Sequence, residues 1–561
     1  MTASGTPGND ASNGNDDHTG RWLASAVSRR QFFVGAGGAA ALAALAACGS
    51  GSSNSNSTSA TDTGAGSGGG ANGKPKRGGN FRLGVTGGGA KDIFDGQNII
   101  TKPDQARLVS AFETLLTFDE SFKLTNDGLA ESVTQDNPKQ YTIKLHKGIE
   151  FQNGKTLTAD DVIYSLQRIG TKANGLTGYA ATATMDIKGM KKMDKYTVRL
   201  PMLTADSTVP QTLASYTFGI VPVGYKTFNG DASAQVGTGP YKLKSFNPGQ
   251  QSVSERNPNY WRSGEPYFDQ VTITDFADPT AQVNALLGGQ IDAMTDLPPS
   301  QVQLVKSHSM NALISKTGGW LPLCMAVDMP PFNDNRVRQA MRLIVDRQAM
   351  IEQVASGYGF VANDVYSPFD EGYDSSLPQR QQDIPQAKSL LKAAGQDGMT
   401  IDLHTTNGAS GMIPTATVFA TQAKAAGITV NVKNEPNFYS QSYLKVAFSG
   451  DFWGTRNYLN QVQQGSLPTS PYNETHWPPK SGPGSNFASL YNQALAATET
   501  SKRVDIEHQM QKLEYDNGGY IIPFFGDLID GYSPKVQGLK PSKGTLNLDT
   551  FGHGYRTIWF G

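Results

Sequence analysis

Residues 141–169 read YTIKLHKGIEFQNGKTLTADDVIYSLQRI and contain a strand, a turn and a helix in close succession. Alternating apolar and polar residues over 141–145 predict a half-buried strand. Asn153-Gly154 is a dipeptide typical of tight turns. Thr158, followed three residues later by Asp161, predicts a capped helix start, and apolar residues then recur at helical spacing. This stretch therefore predicts a strand that packs against a helix.

The chain around this stretch mixes the two kinds of element without an internal repeat. Helices are predicted over 279–287, from Asp334 onwards, and over 385–395, 415–426, 486–498 and 502–515. Further strands are predicted over 196–200, 428–432 and 520–525. Such a mixture in a chain of 561 residues indicates an α/β protein with more than one domain.

Five more motifs follow in order. They are Gly237-Thr238-Gly239-Pro240-Tyr241, Asn257-Pro258-Asn259-Tyr260-Trp261, Gly289-Gln290-Ile291-Asp292, the run from Pro331 to Ala340 with Asp346-Arg347, and Ala387 to Gly395. Each motif has a structural explanation: the glycines suit backbone turns, Trp261 suits loop packing, and Arg336 and Arg338 are expected to pair with carboxylates such as Asp334 or Asp346.

Taken together with 141–169, these motifs resemble the extracellular solute-binding proteins of peptide, dipeptide and nickel ABC transporters, family 5. The likeness runs from about residue 80 to 555. It implies an α/β chain with the two-lobe fold of periplasmic binding proteins, class II type, and an extra inserted small domain. Ligand would bind in the cleft between lobes that close about a hinge. Lobe I is then predicted at 80–112, 238–320 and 521–561, the inserted domain at 113–237, and lobe III at 321–520.

The function that the resemblance implies is that of a substrate-binding lipoprotein of an ABC importer. It would capture a peptide-like or other small solute and deliver it to the permease subunits, as a monomer with no cofactor, no bound metal and no enzymatic activity. Two alternatives stay open, an exported ligand sensor or pheromone-type receptor on the same fold, and an exported enzyme. The sequence carries no GxSxG, no P-loop and no GxGxxG after a strand, which argues against the enzyme.

The resemblance also points to a ligand segment at 450–460. In peptide-binding members this segment has a Trp followed three residues later by an Asp that pairs with the peptide amino group. Trp453 fits the tryptophan, and Arg456 stands where the acid would be, with Asn457 beside it. A cation there would repel an ammonium and favour a carboxylate or phosphate. The alternatives are that Arg456 pairs with Asp451 or Glu474, or faces solvent.

Other candidate ligand residues are aromatic or polar. Trp320 lies near the expected crossing between the lobes and would stack on ligand or pack in the core. Tyr216 and Phe218 precede an apolar run and are expected to face the cleft. Asn473 and His476 lie in a polar, aromatic loop that suits either a binding site or an ordinary surface.

The N-terminal region predicts export and a lipid anchor. Arg29-Arg30 followed by two phenylalanines is typical of a twin-arginine signal, and Leu45-Ala46-Ala47-Cys48 is typical of a lipobox. The apolar run over 32–47 is shorter than the roughly 20 residues of a membrane span, which argues against a transmembrane anchor. We therefore expect a signal over 1–47, lipid on Cys48, a disordered tether over 48–79, and a location on the outer face of the bacterial cell membrane.

Composition excludes several other functions. Lys and Arg total 48 against 49 Asp and Glu, so no basic surplus recommends nucleic acid as a partner. Of the two cysteines only Cys324 is left once Cys48 is lipidated, and its apolar surroundings predict a buried, inert thiol. The seven histidines show no HxxxH or HxH spacing, so a zinc enzyme is not expected.

Overall fold

The computed structural model of the protein describes residues 74–99, 101–544, 547–548 and 553–561. Within these residues there are twenty-one strands and thirteen α-helices. The strands are β1 Asn80–Thr86, β2 Thr117–Phe118, β3 Leu124–Thr125, β4 Ala130–Asn137, β5 Gln140–Leu145, β6 Lys191–Asp194, β7 Thr197–Pro201, β8 Tyr241–Asn247, β9 Gln251–Arg256, β10 Gln270–Phe276, β11 Ala293–Met294, β12 Asn311–Trp320, β13 Leu323–Met325, β14 Gly359–Val361, β15 Thr400–Thr405, β16 Thr429–Asn434, β17 Phe448–Gly450, β18 Tyr520–Ile521, β19 Phe524–Tyr532, β20 Val536–Gln537 and β21 Trp559–Phe560.

The helices are α1 Lys102–Ala111, α2 Ala159–Ile169, α3 Val209–Leu213, α4 Pro279–Leu287, α5 Val302–Ser307, α6 Asn335–Leu343, α7 Arg347–Ala355, α8 Ile384–Ala393, α9 Met412–Ala423, α10 Phe438–Gln441, α11 Tyr458–Gly465, α12 Phe487–Ala496 and α13 Thr500–Asn517. The strand and helix predicted within 141–169 are β5 and α2. The backbone amide of Thr158 donates to the Asp161 carboxylate at 3.0 Å, which is half of a capping box.

Two large sheets carry most of the strands. The first main sheet has the order β12-β19-β11-β1-β10-β9-β8, with β14 paired to β19. In it β1 runs parallel to β10 and β11, whereas β19 runs antiparallel to β11 and β12. The second main sheet has the order β16-β15-β17-β13-β18. Strands from both ends of the described chain thus meet in the first main sheet.

The two main sheets are joined by two short connections that run side by side. Leu321-Pro322 links β12 to β13, and Ile522-Pro523 links β18 to β19. They are neighbours because Trp320 pairs with Phe525 on one side of them and Leu323 with Ile521 on the other. The prediction of one strand over 520–525 is therefore wrong in one respect. The chain changes sheets at Pro523, which has no N–H to donate to a ladder.

Residues 113–237 contain a separate antiparallel sheet, the insert sheet, with the order β4-β5-β7-β6. Its apolar face packs with α2 around a hydrophobic core of its own that includes Ile143, Leu166 and Val198. The segment also reaches α12. The amide of Ser207 donates to the carbonyl of Leu495 at 3.0 Å, and its hydroxyl donates to that of Ala494 at 3.4 Å. Ser207 therefore docks on the carboxyl end of α12.

The packing shows why two of the sequence motifs need the residues they contain. A Cβ on Gly237 would lie 1.9 Å from the carbonyl oxygen of Ala111, so no larger residue fits there. Tyr260 and Trp261 both donate to the buried carboxylate of Glu113, at 2.7 and 2.9 Å. Burial raises the pKa of Glu113, and these two hydrogen bonds oppose that shift. The motif residues thus serve the fold.

Of the two arginines expected to pair with carboxylates, the prediction is confirmed for Arg336 and wrong for Arg338. Arg336 forms an ion pair with Asp334 at 2.6 Å. Arg338 does not pair with a carboxylate in this way. It is buried and its guanidinium donates to backbone carbonyls, including Asn517 at 2.7 Å and Gly518 at 3.2 Å. A guanidinium has five donors, so it can satisfy several carbonyls at a helix end that lack partners.

Candidate functional site

Trp320 and Trp453 pair their backbones beside the connections between the main sheets. The amide of each donates to the carbonyl of the other, with an N···O distance of 2.9 Å in both directions. Trp320 ends β12 of the first main sheet, and Trp453 follows β17 of the second. This pair of hydrogen bonds therefore ties the two sheets together, and Trp320 lies at the crossing where the sequence analysis expected it.

The side chains at this point form a series of stacked rings, the aromatic row, which consists of Trp453, Trp320, Tyr366 and Tyr458. Successive ring centres are 6.1, 5.6 and 5.3 Å apart, and the planes differ by 15°, 12° and 24°. Tyr520 meets Trp320 edge-on at 5.1 Å. All four rings of the row are buried. Rings locked in this way make a rigid wall at low cost in side-chain entropy.

Buried carboxyl groups hold the polar atoms of the row. Glu514 on α13 accepts hydrogen bonds from the hydroxyls of Tyr366 and Tyr458, at 2.6 and 2.8 Å. Glu474 accepts one from the indole Nε1 of Trp453 at 3.2 Å. Burial raises the pKa of Glu514 to about 7 and raises that of Glu474 well above its usual range. Both sites therefore favour the neutral acid relative to an exposed glutamate.

Arg456 lies over the Trp453 end of this wall. Its guanidinium carbon is 5.1 Å from the centre of the Trp453 ring, within the range of a cation–π contact. The nitrogen Nη1 is buried and has no hydrogen-bond partner. Among the described residues no carboxylate forms an ion pair with Arg456. Asp451 accepts from Tyr439 instead, and Glu474 from Trp453. The guanidinium is therefore a positive group with free donors.

The surroundings of Arg456 are aromatic. Burial lowers the pKa of the guanidinium, and the titratable groups that act on it are the phenols of Tyr216 and Tyr472. Tyr472 also meets Trp453 edge-on at 6.0 Å. Tyr216 belongs to the segment that carries the insert sheet, whereas Arg456 follows the second main sheet. The site thus combines residues from separate parts of the fold and can hold an anion between a cation, hydroxyl groups and an indole ring.

The other predicted ligand residues are placed as follows. Asn457 donates to the Asp370 carboxylate at 2.9 Å, and the same carboxylate accepts from the first amide of α11. Phe218 is buried in the core of the insert sheet, unlike its half-buried neighbour Tyr216. The structure therefore brings Trp320, Trp453, Arg456 and Tyr216 together, and turns Phe218 away from them into a core.

Asn473 and His476 are engaged within their own loop. The side chain of Asn473 donates to the carbonyls of Leu467 and Trp477, at 2.9 and 2.6 Å. The ring of His476 contacts the Asp328 carboxylate at 2.6 Å through Nδ1 and the carbonyl of Leu444 at 3.2 Å through Nε2. These contacts stabilise the loop that carries Tyr472 and Glu474.

Several residues of the site are not predicted by the sequence. Tyr366, Tyr458 and Tyr472 were not singled out, because an isolated tyrosine has no local pattern that marks a site. Glu474 was considered only as a partner of Arg456. A glutamate is rarely buried without a cation, so its burial here has no sequence signal.

The described residues offer no obvious place for a metal, since no group of three or more His, Cys, Asp or Glu among them is arranged to hold one. Cys324 is buried, as predicted, and burial together with Glu474 raises the pKa of its thiol. Among the helices that the structure describes, none has the length and apolar character needed to cross a membrane. Arg29, Arg30 and Cys48 fall outside the described residues.

Comparison with known proteins decides the family. A sequence profile for bacterial extracellular solute-binding proteins, family 5 middle region, matches residues 125–493, which is more than half of the chain. The chain belongs to this family. It is a solute-binding protein of the kind that serves ABC importers, as the sequence predicted, and the family consists of binding proteins that work with permeases. The predicted two-lobe α/β fold is likewise confirmed.

Individual relatives are named for different ligands. The chain is 26% identical over 451 residues to the nickel-binding protein NikA of Staphylococcus aureus, covering 77% of this chain and 86% of the relative. It is 29% identical over 308 residues to the glutathione-binding protein GsiB of Escherichia coli, covering 54% of this chain and 59% of that relative.

A solved structure shows the same fold. AgaA of Agrobacterium tumefaciens R10, in complex with agropinic acid, superposes with a TM-score of 0.70 at 19% identity, covering 86% of this chain and 99% of AgaA.

Proposed function

We propose that this solute-binding protein captures a small solute that carries a carboxylate or another anionic group, and that Arg456 is its anchor. The observation that carries the proposal is the buried nitrogen Nη1 of Arg456, which has no hydrogen-bond partner. A buried donor left unpaired costs about 1–3 kcal/mol, so a ligand that accepts from it recovers this free energy on binding. The Trp453 ring lies beneath the guanidinium, and the phenols of Tyr216 and Tyr472 are near enough to act on its charge.

The sign of the charge separates this site from one that holds a peptide amino group. A guanidinium repels an ammonium, and it binds a carboxylate through two parallel hydrogen bonds. A free metal cation is disfavoured for the same reason. A metal would have to arrive as a chelate that turns its carboxylates towards Arg456.

The relatives are consistent with an acidic ligand. GsiB is named for glutathione and AgaA is in complex with agropinic acid, and both compounds carry carboxylates. Low identity prevents the transfer of either compound to this chain. The shared chemistry supports the class of ligand, an acidic peptide or amino-acid conjugate.

We also propose the setting in which this binding occurs. The twin-arginine signal at Arg29-Arg30 would export the chain, and lipid on Cys48 would hold it as a monomer on the outer face of the cell membrane. The tether over 48–79 keeps the binder close to its permease and raises its local concentration there. The ligand would lie between the two lobes. Turnover of the ligand is not part of this function.

Calorimetry on the purified protein tests the ligand class. The compounds are reduced glutathione, agropinic acid and one pentapeptide in three forms: free, N-acetylated and C-amidated. N-acetylation removes the ammonium, and C-amidation removes the terminal carboxylate. We expect binding of acidic compounds to survive N-acetylation and to be lost with C-amidation. A pentapeptide that binds tightly and loses affinity on N-acetylation alone contradicts the proposal.

Substitution of Arg456 completes the test. Arg456→Met should weaken the binding of an acidic compound by roughly 10- to 100-fold, the size of a charge-assisted hydrogen bond. Arg336→Met is the matched control, because Arg336 is exposed and paired with Asp334. Equal affinity of the native protein and Arg456→Met would remove Arg456 from the site.

A further inference from the structure

Glu474 collects hydrogen bonds from four side chains. It accepts from Trp453 Nε1 at 3.2 Å, from the hydroxyls of Tyr443 and Tyr520 at 3.1 Å each, and from the thiol of Cys324 at 3.3 Å. Only 3% of the residue is exposed. Among the described residues no lysine or arginine forms an ion pair with it, so a negative charge here would have no cation to offset it.

The second carboxyl next to Glu474 explains how the group is tolerated. Asp451 is also buried and accepts from the hydroxyl of Tyr439 at 2.8 Å. Burial and the neighbouring Asp451 raise the pKa of Glu474 well above its usual range. These surroundings favour the neutral form of Glu474, which needs no cation beside it and still accepts from the other four groups.

Trp453 depends on this arrangement for its orientation. Its Nε1 is satisfied by Glu474, and a buried indole N–H without a partner is costly. The same ring carries the guanidinium of Arg456 at 5.1 Å and stacks on Trp320. A rotation of the ring that lost Glu474 would also move the surface on which Arg456 lies.

We propose that Glu474 is a positioning residue of the ligand site, which holds the Trp453 ring, and through it Arg456, in the orientation that receives the solute. This inference rests on the proposed function of Arg456. Glu474 does not touch the solute. It acts through the indole Nε1 of Trp453.

The test uses variants that separate shape from hydrogen bonding. Glu474→Gln keeps the size of the side chain and an acceptor for Trp453. Glu474→Leu removes the acceptor. Glu514→Leu is the matched control, because Glu514 is a buried glutamate that accepts from two rings of the same row and makes no hydrogen bond to Trp453. Both leucine variants should lower the melting temperature.

The first readout needs no ligand. Each tryptophan gives one indole N–H signal in a nitrogen-15 NMR spectrum, and Trp453→Phe identifies the one from Trp453. We expect this signal to shift or disappear in Glu474→Leu and to stay close to its native position in Glu474→Gln and Glu514→Leu. An unchanged signal in Glu474→Leu overturns the proposal. If that variant does not fold, Glu474→Asp, shorter by one methylene, carries the same expectation.

The second readout is the affinity for reduced glutathione and for agropinic acid, whichever of them the native protein binds. We expect Glu474→Leu to lose about tenfold, the effect of one buried hydrogen bond, with Glu474→Gln close to native. A shifted indole signal with unchanged affinity overturns the link to the ligand. If the native protein binds neither compound, the proposed ligand class fails, and the indole signal still decides whether Glu474 positions Trp453.

Discussion

The guanidinium of Arg456 lies 5.1 Å from the centre of the Trp453 ring, and its Nη1 is buried without a hydrogen-bond partner. The ring contact and the unpaired donor both change the free energy of folding. A cation–π contact contributes about 0.5 kcal/mol at an exposed site and about 2 kcal/mol at a desolvated one, whereas an unpaired buried donor costs about 1–3 kcal/mol. The second effect reaches the larger value. In the absence of ligand Arg456 therefore lowers the stability of the folded protein. A ligand that accepts a hydrogen bond from Nη1 removes this cost.

This balance predicts an opposite effect of one substitution on stability and on binding. Arg456→Met should raise the unfolding free energy of the ligand-free protein by about 1 kcal/mol, measured by urea denaturation. Arg336→Met, which removes a paired surface cation, should give no such gain. A less stable Arg456→Met protein would mean that the guanidinium is satisfied in solution.

Glu514 should make the protein less stable as pH rises. Burial raises its folded pKa from 4.5 to about 7, so the folded state holds its proton more tightly than the unfolded state does. Stability is then greatest below about 4.5 and falls as pH rises to about 7, by roughly 3 kcal/mol from this group. The denaturant midpoint should fall less steeply with rising pH in Glu514→Gln than in the native protein. Glu131 on the surface has a lowered pKa, so Glu131→Gln cannot flatten the slope in this way.

Ser207 should control how firmly the insert segment is attached to α12. Its amide and hydroxyl donate to the carbonyls of Leu495 and Ala494 at the carboxyl end of that helix. Ser207→Asp places a negative charge against these carbonyls, which the helix dipole also opposes. We expect a larger radius of gyration by small-angle X-ray scattering. Thr204→Asp, at an exposed position nearby, is the control, and equal radii for the two variants would contradict the prediction.

Gly237→Ala should be severely destabilising. The added Cβ would lie 1.9 Å from the Ala111 carbonyl oxygen, and backbone has to move to admit it. Overpacking of this kind costs roughly 3 kcal/mol or more. Gly89→Ala is the matched control, because nothing lies within 4 Å of its Cβ position. Thermal unfolding of both variants makes the comparison, and similar melting temperatures would contradict it.

Cys48 and the arginine pair should act at different steps of export. In the producing bacterium, Cys48→Ala should release the protein from the membrane fraction, because acyl chains alone would hold it there. Replacement of Arg29 and Arg30 by lysine keeps the charge and should leave the protein in the cytoplasm. Cell fractionation with immunoblotting measures both effects. Cys48→Ala protein that still sediments with membranes would point to another anchor.

The sequence predicted elements and motifs well where the signal is local. The capping residues of α2, the alternating pattern of β5 and the bounds of α4 each depend on neighbours a few residues away. The family motifs could also be read, because they combine turn glycines with residues that pack against a fixed backbone, as Gly237 does on Ala111.

The partners of polar groups could not be read in this way. Glu474 bonds to Trp453 and Cys324, and Arg338 bonds to carbonyls near residue 517, because the fold brings distant segments together. Periodicity indicates which face of an element is buried and does not name what it meets. The burial of Glu474 and Glu514 also contradicts the usual position of glutamate at the surface. The site depends on these two buried glutamates, because they hold the polar atoms of the aromatic row.

The position of β19 bears on how the chain reaches its native state as it is made. This strand comes from residues 524–532, yet it lies between β11 and β12 and so connects β12 to the part of the sheet that contains β1. The ribosome supplies it last, hundreds of residues after β1. The first main sheet therefore cannot close until residues 524–532 have been made. Pairing over such long sequence separations is slow, so the newly made protein passes through a stage in which β11 and β12 present unpaired edges, which are the parts of a sheet most prone to pair with other chains.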